Sequence, residues 1–360
     1  MIPENNDNNI QENNKKKEKN YVIKLKILHA KRFCDLIDSI KDITDQVNWY
    51  FNKENGIDCQ GVDGSQISMI HFHLNKEYFD LYKWNKNNEE IKTFVIGVSM
   101  NQLSQMLKGM EIRNTNAILV IKVHENKEIL ELKFASNCNV ISTCKLKLFT
   151  IEVERVEIPS VEYDAHICMS SSLFVRFCRE LLVIGDEINI KVDKERVTFL
   201  VQGEMGSKKL ELQKSPLLLC NKKRKRNKEK NENDDHYSQT TEENSDNNIE
   251  NDDNYDTEKK YIRSFEENKD KKNNFQLEIK KENVCIESSF ALKYIQSFLK
   301  SSYILNQMIH LQLSNESPMV MKYKLYKDND IKNIKQQEKS SITIGTLEYF
   351  LAPKIVNNNE

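Results

Sequence analysis

The sequence predicts an α+β protein of two similar halves, in which a few short helices serve many antiparallel strands. Three observations carry this. Stretches with strand alternation far outnumber stretches with helical periodicity, each group of strands follows a single short amphipathic helix, and that helix-then-strands unit recurs four times in 360 residues, two per half. A chain of this length with 38% hydrophobic residues has enough apolar material for two cores of ordinary size.

The helices are expected at about Lys31–Val47, Met100–Met110, Ser171–Ile184 and Ser289–Lys300, where apolar residues return every three or four positions. Between them, "NAILVIKVHENKEILELKFAS" alternates apolar and polar residues around a polar turn at Glu125–Lys127, as a hairpin does. "EINIKVDKERVTFLVQGEMGSKKLELQ" and "MIHLQLSNESPMVMKYKLY" repeat the pattern. Three segments interrupt it: residues 1–20, the stretch "NKKRKRNKEKNENDDHYSQTTEENSDNNIENDDNYDTEKK" from Asn221, and "KDNDIKNIKQQEKSS" from Lys327. They are rich in Asn, Lys, Asp and Glu, with too little apolar surface to offset the entropy of ordering, so disorder is expected there. Lys222–Arg226, "KKRKR", is a basic run of the kind that nuclear import machinery reads.

Charge and cysteine usage narrow the class. The 54 basic and 55 acidic residues leave a formal charge of −1, so any case for nucleic acid must come from where the basic residues stand. Eight scattered cysteines without a C-x-x-C pair suit reduced thiols in a reducing compartment, and neither disulfides nor zinc are expected. The sequence carries no apolar run of membrane-spanning length, and an intracellular protein is expected. With nine glycines and no G-x-G-x-x-G, P-loop, G-x-S-x-G or H-E-x-x-H, the chain does not read as an enzyme.

Two constellations could hold chemistry. In "DAHIC", Asp164, His166 and Cys168 share a strand face, but side chains two apart point in parallel rather than converging, which suits a half-buried strand better than a Cys/His/Asp nucleophile. "HFH" at His71 and His73, with Cys59 nearby, could bind a metal, yet a further ligand at a recognisable spacing is missing. No catalytic residue, no metal and no cofactor is expected.

The third helix, "FVRFCREL", buries Phe174, Phe177, Cys178 and Leu181 on one side and shows Arg176 and Arg179 with Glu180 on the other. On the fourth, Lys293 and Lys300 stand opposite Ala291, Ile295, Phe298 and Leu299. On the second, Lys108 lies with Asn101, Ser104 and Gln105, away from Met100, Leu103 and Leu107. The first shows Lys31 and Lys41 opposite Phe33, Leu36, Ile37 and Ile40, together with Asp35, Asp38 and Asp42. Taken alone, such a face is that of an ordinary surface helix with solvated charges.

The stretches "GVDGSQISMIHFHL", "FDLYKW", "IGVSMNQLSQMLKGM", "EIPSVEYDAHICMSSSLFVRFCRELLVIGDEINI", "VTFLVQGEMGSKKLEL", "FALKYIQSFLKS", "SPMVMKYKLY" and "LEYFLAPKI" follow one another. Together, over about Tyr21–Ile355 minus the inserts, they resemble the eukaryotic DNA sliding clamp family, proliferating cell nuclear antigen. The resemblance implies a homotrimeric ring of subunits with two similar clamp domains each, helices lining the hole and antiparallel sheets outside. A hole for a hydrated duplex, about 35 Å across, has a wall about 110 Å round, which helices about 10 Å apart line in about eleven or twelve, or four from each of three chains.

In those terms the chain divides into an N-terminal extension (1–20), clamp domain 1 (21–146), a connector (147–161) and clamp domain 2 (162–355). The last holds an insert at about 221–272 and a loop insert at about 327–341, and a tail follows at 356–360. The resemblance implies a DNA-facing set of Lys31, Lys41, Lys108, Arg176, Arg179, Lys293 and Lys300, although the first helix has aspartates where the family carries more lysine. It implies a partner-peptide pocket of Val62, Gln66, Met69, Val156, Ile158, Pro318, Phe350, Leu351, Ala352 and Pro353. Subunit contact would run through edge strands at Cys144, Leu146 and Leu148 on one chain and Met205, Leu210 and Leu212 on the next. Lys194 matches a modifiable lysine of the outer face. The implied function is that of a nuclear processivity factor and docking platform in replication and repair. Its partners would be double-stranded DNA, two further copies of itself, DNA polymerase, the clamp loader and other proteins with clamp-binding peptides; no membrane is implied. Alternatives are a subunit of the heterotrimeric checkpoint clamp, a specialised second clamp and, from another class, a Cys/His enzyme.

Overall fold

The computed structural model describes residues 21–85, 91–109, 117–135, 140–151, 155–158, 162–214, 275–280, 285–305, 308–326 and 343–354. Every described residue belongs to a single unit. The expected inserts, with Lys222–Arg226, and the tail at 356–360 lie outside the described residues.

The first half runs β1 (Tyr21–Ile27), α1 (Ala30–Ile40), β2 (Gln46–Asn52), β3 (Gly56–Val62), β4 (Ser68–Leu74), β5 (Leu81–Trp84), β6 (Thr93–Ser99), α2 (Met100–Gly109), β7 (Ile118–His124), β8 (Ile129–Ala135) and β9 (Ile141–Lys147). The second runs β10 (Ala165–Ser170), α3 (Ser171–Leu182), β11 (Glu187–Val192), β12 (Arg196–Gly203), β13 (Gly206–Gln213), β14 (Phe275–Ile279), β15 (Ile286–Ala291), α4 (Leu292–Leu305), β16 (Met308–Leu313), β17 (Met319–Tyr326) and β18 (Thr343–Leu351). The hairpins read from the sequence are present as β7–β8, β11–β12–β13 and β16–β17.

Strand alternation decides the layers. In β4, Ile70, Phe72 and Leu74 are buried while Met69, His71 and His73 are half-exposed, so one face packs on the core and the other meets solvent. The strands form a five-stranded sheet (β5-β1-β7-β8-β9), a four-stranded sheet (β13-β12-β11-β15) and a nine-stranded sheet (β14-β10-β16-β17-β18-β4-β3-β2-β6). The nine-stranded sheet belongs to both halves. They meet where β18 pairs antiparallel with β4, from Gly345 opposite Leu74 to Leu351 opposite Ser68. A Cβ on Gly345 would stand 2.6 Å from the His73 carbonyl oxygen, so the joint requires a glycine there. The length and composition suggest two cores, but with this shared sheet the buried side chains of both halves form one continuous core.

The helices pack side by side in the order α2, α1, α4, α3. Phe33 of α1 meets Trp49 of β2 edge-on, Phe298 of α4 stacks on Tyr349 of β18, and Phe174 and Phe177 of α3 contact Phe199 of β12. Two helices depart from their expected bounds. α1 stops at Ile40 rather than Val47 because Asp45 is drawn to the start of α2, where its carboxylate accepts from the Asn101 amide at 3.0 Å and from Ser99 Oγ at 2.9 Å. Val47 thereby falls in β2. α4 begins at Leu292 and runs to Leu305, because Ser289 and Ala291 are held in β15 by its pairing with β11.

Candidate nucleic-acid interface and docking groove

The outer face of the helix row is polar. Each helix turns its apolar stripe to the sheets: Phe33, Leu36, Ile37 and Ile40 on α1, Met100, Leu103 and Leu107 on α2, Phe174, Phe177, Cys178 and Leu181 on α3, Leu292, Ile295, Phe298 and Leu299 on α4. Lys31, Lys108, Arg176, Arg179 and Lys293 are exposed on the other side, with Lys41 and Lys300 half-buried among the helices. All seven basic residues expected to face DNA thus stand on this row.

Their charges are not equally available. Arg176 keeps 66% of its side chain open and lies 3.8 Å from Glu180 one turn on, while Lys208 of β13 approaches Glu180 to 2.8 Å. The hydrogen bond from Lys208 lowers the Glu180 pKa below the usual carboxylate range. Lys41 and Lys108 both reach Asp38, at 3.1 and 2.8 Å, and Lys300 reaches Asp42 at 2.6 Å. Lys293 lies over the Tyr294 ring, 4.8 Å from its centroid. Lys41, Lys108 and Lys300 are therefore the part of this face held by the carboxylates of Asp38 and Asp42, while Arg176 keeps most of its surface open.

On the opposite side of the nine-stranded sheet lies a groove of about 740 Å³. Eight of the ten residues expected in a peptide pocket line it together: Val62, Gln66, Met69, Val156, Ile158, Pro318, Phe350 and Ala352. Register explains the set, since Met69 of β4 pairs with Val62 of β3 and with Phe350 of β18, all on the solvent face. The loop after β3 closes one side. Asp63 accepts from the Ser65 amide at 3.1 Å and the Ser68 amide at 2.6 Å, Gln66 takes a positive φ of 58°, and the Ala352 amide donates to the Ile67 carbonyl at 3.0 Å.

Leu351 does not belong to the groove. Alternation along β18 turns Tyr349 and Leu351 to the core, and Leu351 is fully buried. Pro353, half-buried, also lies outside the lining. The sequence reading missed Tyr50, Gln60, Ile67 and Tyr163, which line the groove as well. Gln60 was findable, because it precedes Val62 by two on the same strand and so shares its face.

The connector runs beside this groove. Phe149 donates its amide to the Gly97 carbonyl at 3.0 Å, and a Cβ on Gly97 would stand 2.4 Å from the Phe149 carbonyl oxygen, so the crossing needs glycine. Asn48 Nδ2 donates to the Ile151 carbonyl at 3.2 Å. Farther along, Arg155 lies 4.0 Å from Asp58 and over the Tyr50 ring.

The edge strands also stand where expected, β9 bordering the five-stranded sheet and β13 the four-stranded one. Cys144 and Leu148 are half-buried, as are Leu210 and Leu212, and Met205 is 84% exposed in the turn before β13. Leu146 is a correction. Its side chain points inward from β9 and is buried in its own chain's core, so only its backbone at the sheet edge is left to meet a neighbour. Lys194 is exposed in the turn before β12, which Asp193 shapes by accepting from the Glu195 and Arg196 amides at 3.0 Å.

The remaining cysteine and histidine sets are structural in geometry. His71 and His73 both meet Asp58 Oδ1, at 3.2 and 2.9 Å, and His71 meets Glu348 at 3.2 Å, whereas Cys59 is buried on the other face of β3. The described residues contain no group of three or more His, Cys, Asp or Glu arranged to hold a metal ion. His166 Nε2 sits 2.8 Å from Gln312, and burial holds its pKa below the ordinary imidazole value. No helix among the described residues is long and apolar enough to cross a membrane.

Comparison with known families matches this architecture half by half. Residues 22–156 match the proliferating cell nuclear antigen, N-terminal domain, and residues 157–225 and 254–335 match the proliferating cell nuclear antigen, C-terminal domain. The chain belongs to the proliferating cell nuclear antigen family. Its two halves are DNA sliding-clamp domains of a family of non-enzymatic scaffolds that act on DNA. The two matches meet within the expected connector, and the C-terminal match skips residues 226–253, inside the expected insert.

Proposed function

We propose that this chain is a replicative-type sliding clamp: three copies close into a ring around duplex DNA, hold a polymerase on its template, and dock replication and repair proteins in the nucleus. The observation that carries the reading is the row of four helices, apolar toward the sheets and basic on the outside, with Lys31, Lys108, Arg176, Arg179 and Lys293 exposed there. Contacts of this kind position phosphates without reading bases, which lets a protein slide. Pairing of β9 with β13 of the next copy would remove two free sheet edges at each joint. The groove beside the connector suits an apolar-aromatic peptide, with Phe350 and Met69 on its floor and Val156 at its rim. The same reading assigns the chain no catalysis.

The test is retention on topologically closed DNA. Purified protein loaded by a clamp loader onto primed circular DNA should stay on circles and run off once the DNA is linearised. Equal retention on both would mean ordinary binding rather than encirclement. Mass in solution separates the alternative: a replicative clamp forms a trimer unaided, whereas a subunit of a heterotrimeric checkpoint clamp does not.

A further inference from the structure

Lysines from three different helices converge on one carboxylate. Lys41 beside the end of α1 and Lys108 of α2 place Nζ 3.1 and 2.8 Å from Asp38 Oδ1, and Lys300 of α4 places its Nζ 3.9 Å from Asp38 Oδ2. Ser104 of α2 donates to Asp38 Oδ1 at 3.1 Å, and Lys300 also contacts Asp42 at 2.6 Å. Burial works against an ionised Asp38, but Lys108, Lys41 and Lys300 outweigh it and bring its pKa to about 2, so the carboxylate remains charged at any physiological pH.

Ammonium groups and a hydroxyl arranged around two oxygens that share one negative charge would serve a phosphodiester equally well. We propose that Asp38 is an internal stand-in for a DNA phosphate: it keeps Lys41, Lys108 and Lys300 converged in the empty clamp and competes with the duplex for them. This rests on the helix row being the channel wall. A phosphate reaching these lysines must displace a carboxylate already there, and that exchange releases few counterions. These three lysines would then add little to the salt dependence of DNA association, which would fall mainly on the basic residues outside the cluster, Lys31, Arg176, Arg179 and Lys293.

The experiment uses the full-length trimer on a duplex with blocked ends, titrated across a salt series, with mass checked at the working concentration. Asp38→Asn keeps an oxygen for Ser104 and removes one negative charge. It should steepen the log–log salt slope by about 0.9 per engaged subunit, which corresponds to about eightfold tighter association at about 0.1 M salt, converging with wild type near 1 M. An unchanged slope, while Arg176→Ala/Arg179→Ala flattens it, overturns the proposal and leaves the clamp reading standing. Indifference of the slope to both substitutions overturns the channel wall and the proposal with it. Weaker association of an intact Asp38→Asn trimer would make Asp38 an organiser of the lysines rather than their competitor, and also overturns it. Should Asp38→Asn lose the trimer, Asp42→Asn reads the same exchange through Lys300, and no steepening there is equally decisive against it.

Discussion

His71 on β4 and Glu348 on β18 face each other in register, with Nδ1 and Oε2 3.2 Å apart, so an ionic hydrogen bond crosses the joint between the two halves. Nε2 of the same imidazole lies 3.2 Å from Asp58, and Lys322 holds the other oxygen of Glu348 at 2.6 Å. Burial alone would lower the His71 pKa, but Asp58 and Glu348 outweigh it and raise it above the ordinary value. A raised folded-state pKa means stability that is complete below the unfolded value, near 6.5, and is lost as pH rises through the folded value. His71→Asn should therefore cost on the order of 1–2 kcal/mol near pH 6 and progressively less at alkaline pH. Urea midpoints of both proteins from pH 5 to 9 measure this, and a cost independent of pH would mean that His71 contributes packing alone.

Phe350 and Leu351 are adjacent and should behave oppositely. Phe350→Ala removes a floor residue of the groove and should abolish binding of an apolar-aromatic peptide while leaving the thermal midpoint nearly unchanged. Leu351→Ala opens a cavity beneath the sheet and should cost about 2–5 kcal/mol, with peptide affinity altered only through that loss. Calorimetric titration alongside denaturant unfolding separates the two, and undiminished peptide binding by Phe350→Ala would move the docking site elsewhere.

That contrast marks what the sequence could and could not disclose. Helix stripes such as Phe174, Phe177, Cys178 and Leu181 were legible because a 3.6-residue period has one physical cause, burial of one face. Hairpins were legible by the period of two. The resemblance carries Leu351 into the pocket with its neighbours Phe350 and Ala352, although strand alternation separates them; Leu146 shares a strand face with Cys144, and alternation by itself does not say that this face is the buried one. What no periodicity carries is contact across distant segments. The β18–β4 pairing, the convergence of Lys108 and Lys300 on Asp38, and the draw of Asp45 to α2 each join residues more than 50 positions apart. The end of α1 was misread because its stop signal lies in that last contact rather than in a glycine or proline.

If β9 of one copy pairs with β13 of the next, Met205 stands at the joint with most of its surface open. Met205→Glu should then lower the solution mass from three chains toward one without changing the circular dichroism spectrum, since the residue adds little to its own chain's core. Leu146→Glu should instead unfold the chain, because that side chain is buried within it. Light scattering at matched concentrations reads the first and thermal unfolding the second. A Met205→Glu protein that remains trimeric at nanomolar concentration would shift the interface away from this turn.

Arg176 and Glu180 make the most direct test of the helix row as a DNA-facing wall, because substituting them should move one measurement in opposite directions. Arg176→Ala/Arg179→Ala removes two cations, each worth up to about 0.9 in the log–log salt slope for duplex DNA. Glu180 already lies 3.8 Å from Arg176, so part of that charge is covered and the measured loss should be smaller than the full sum. Glu180→Gln uncovers Arg176 and Lys208 together and should steepen the slope. Arg176 lies over the Phe177 ring, 5.9 Å from its centroid, but both changes leave the buried side chains Phe174, Phe177, Cys178 and Leu181 in place, so stability should stay within about 1 kcal/mol of wild type and the oligomeric state should hold. Sequence preference should not appear in any variant, because contacts to phosphate carry no base information. Slopes that move together in both variants, or that do not move at all, would mean that this face meets solvent and not DNA.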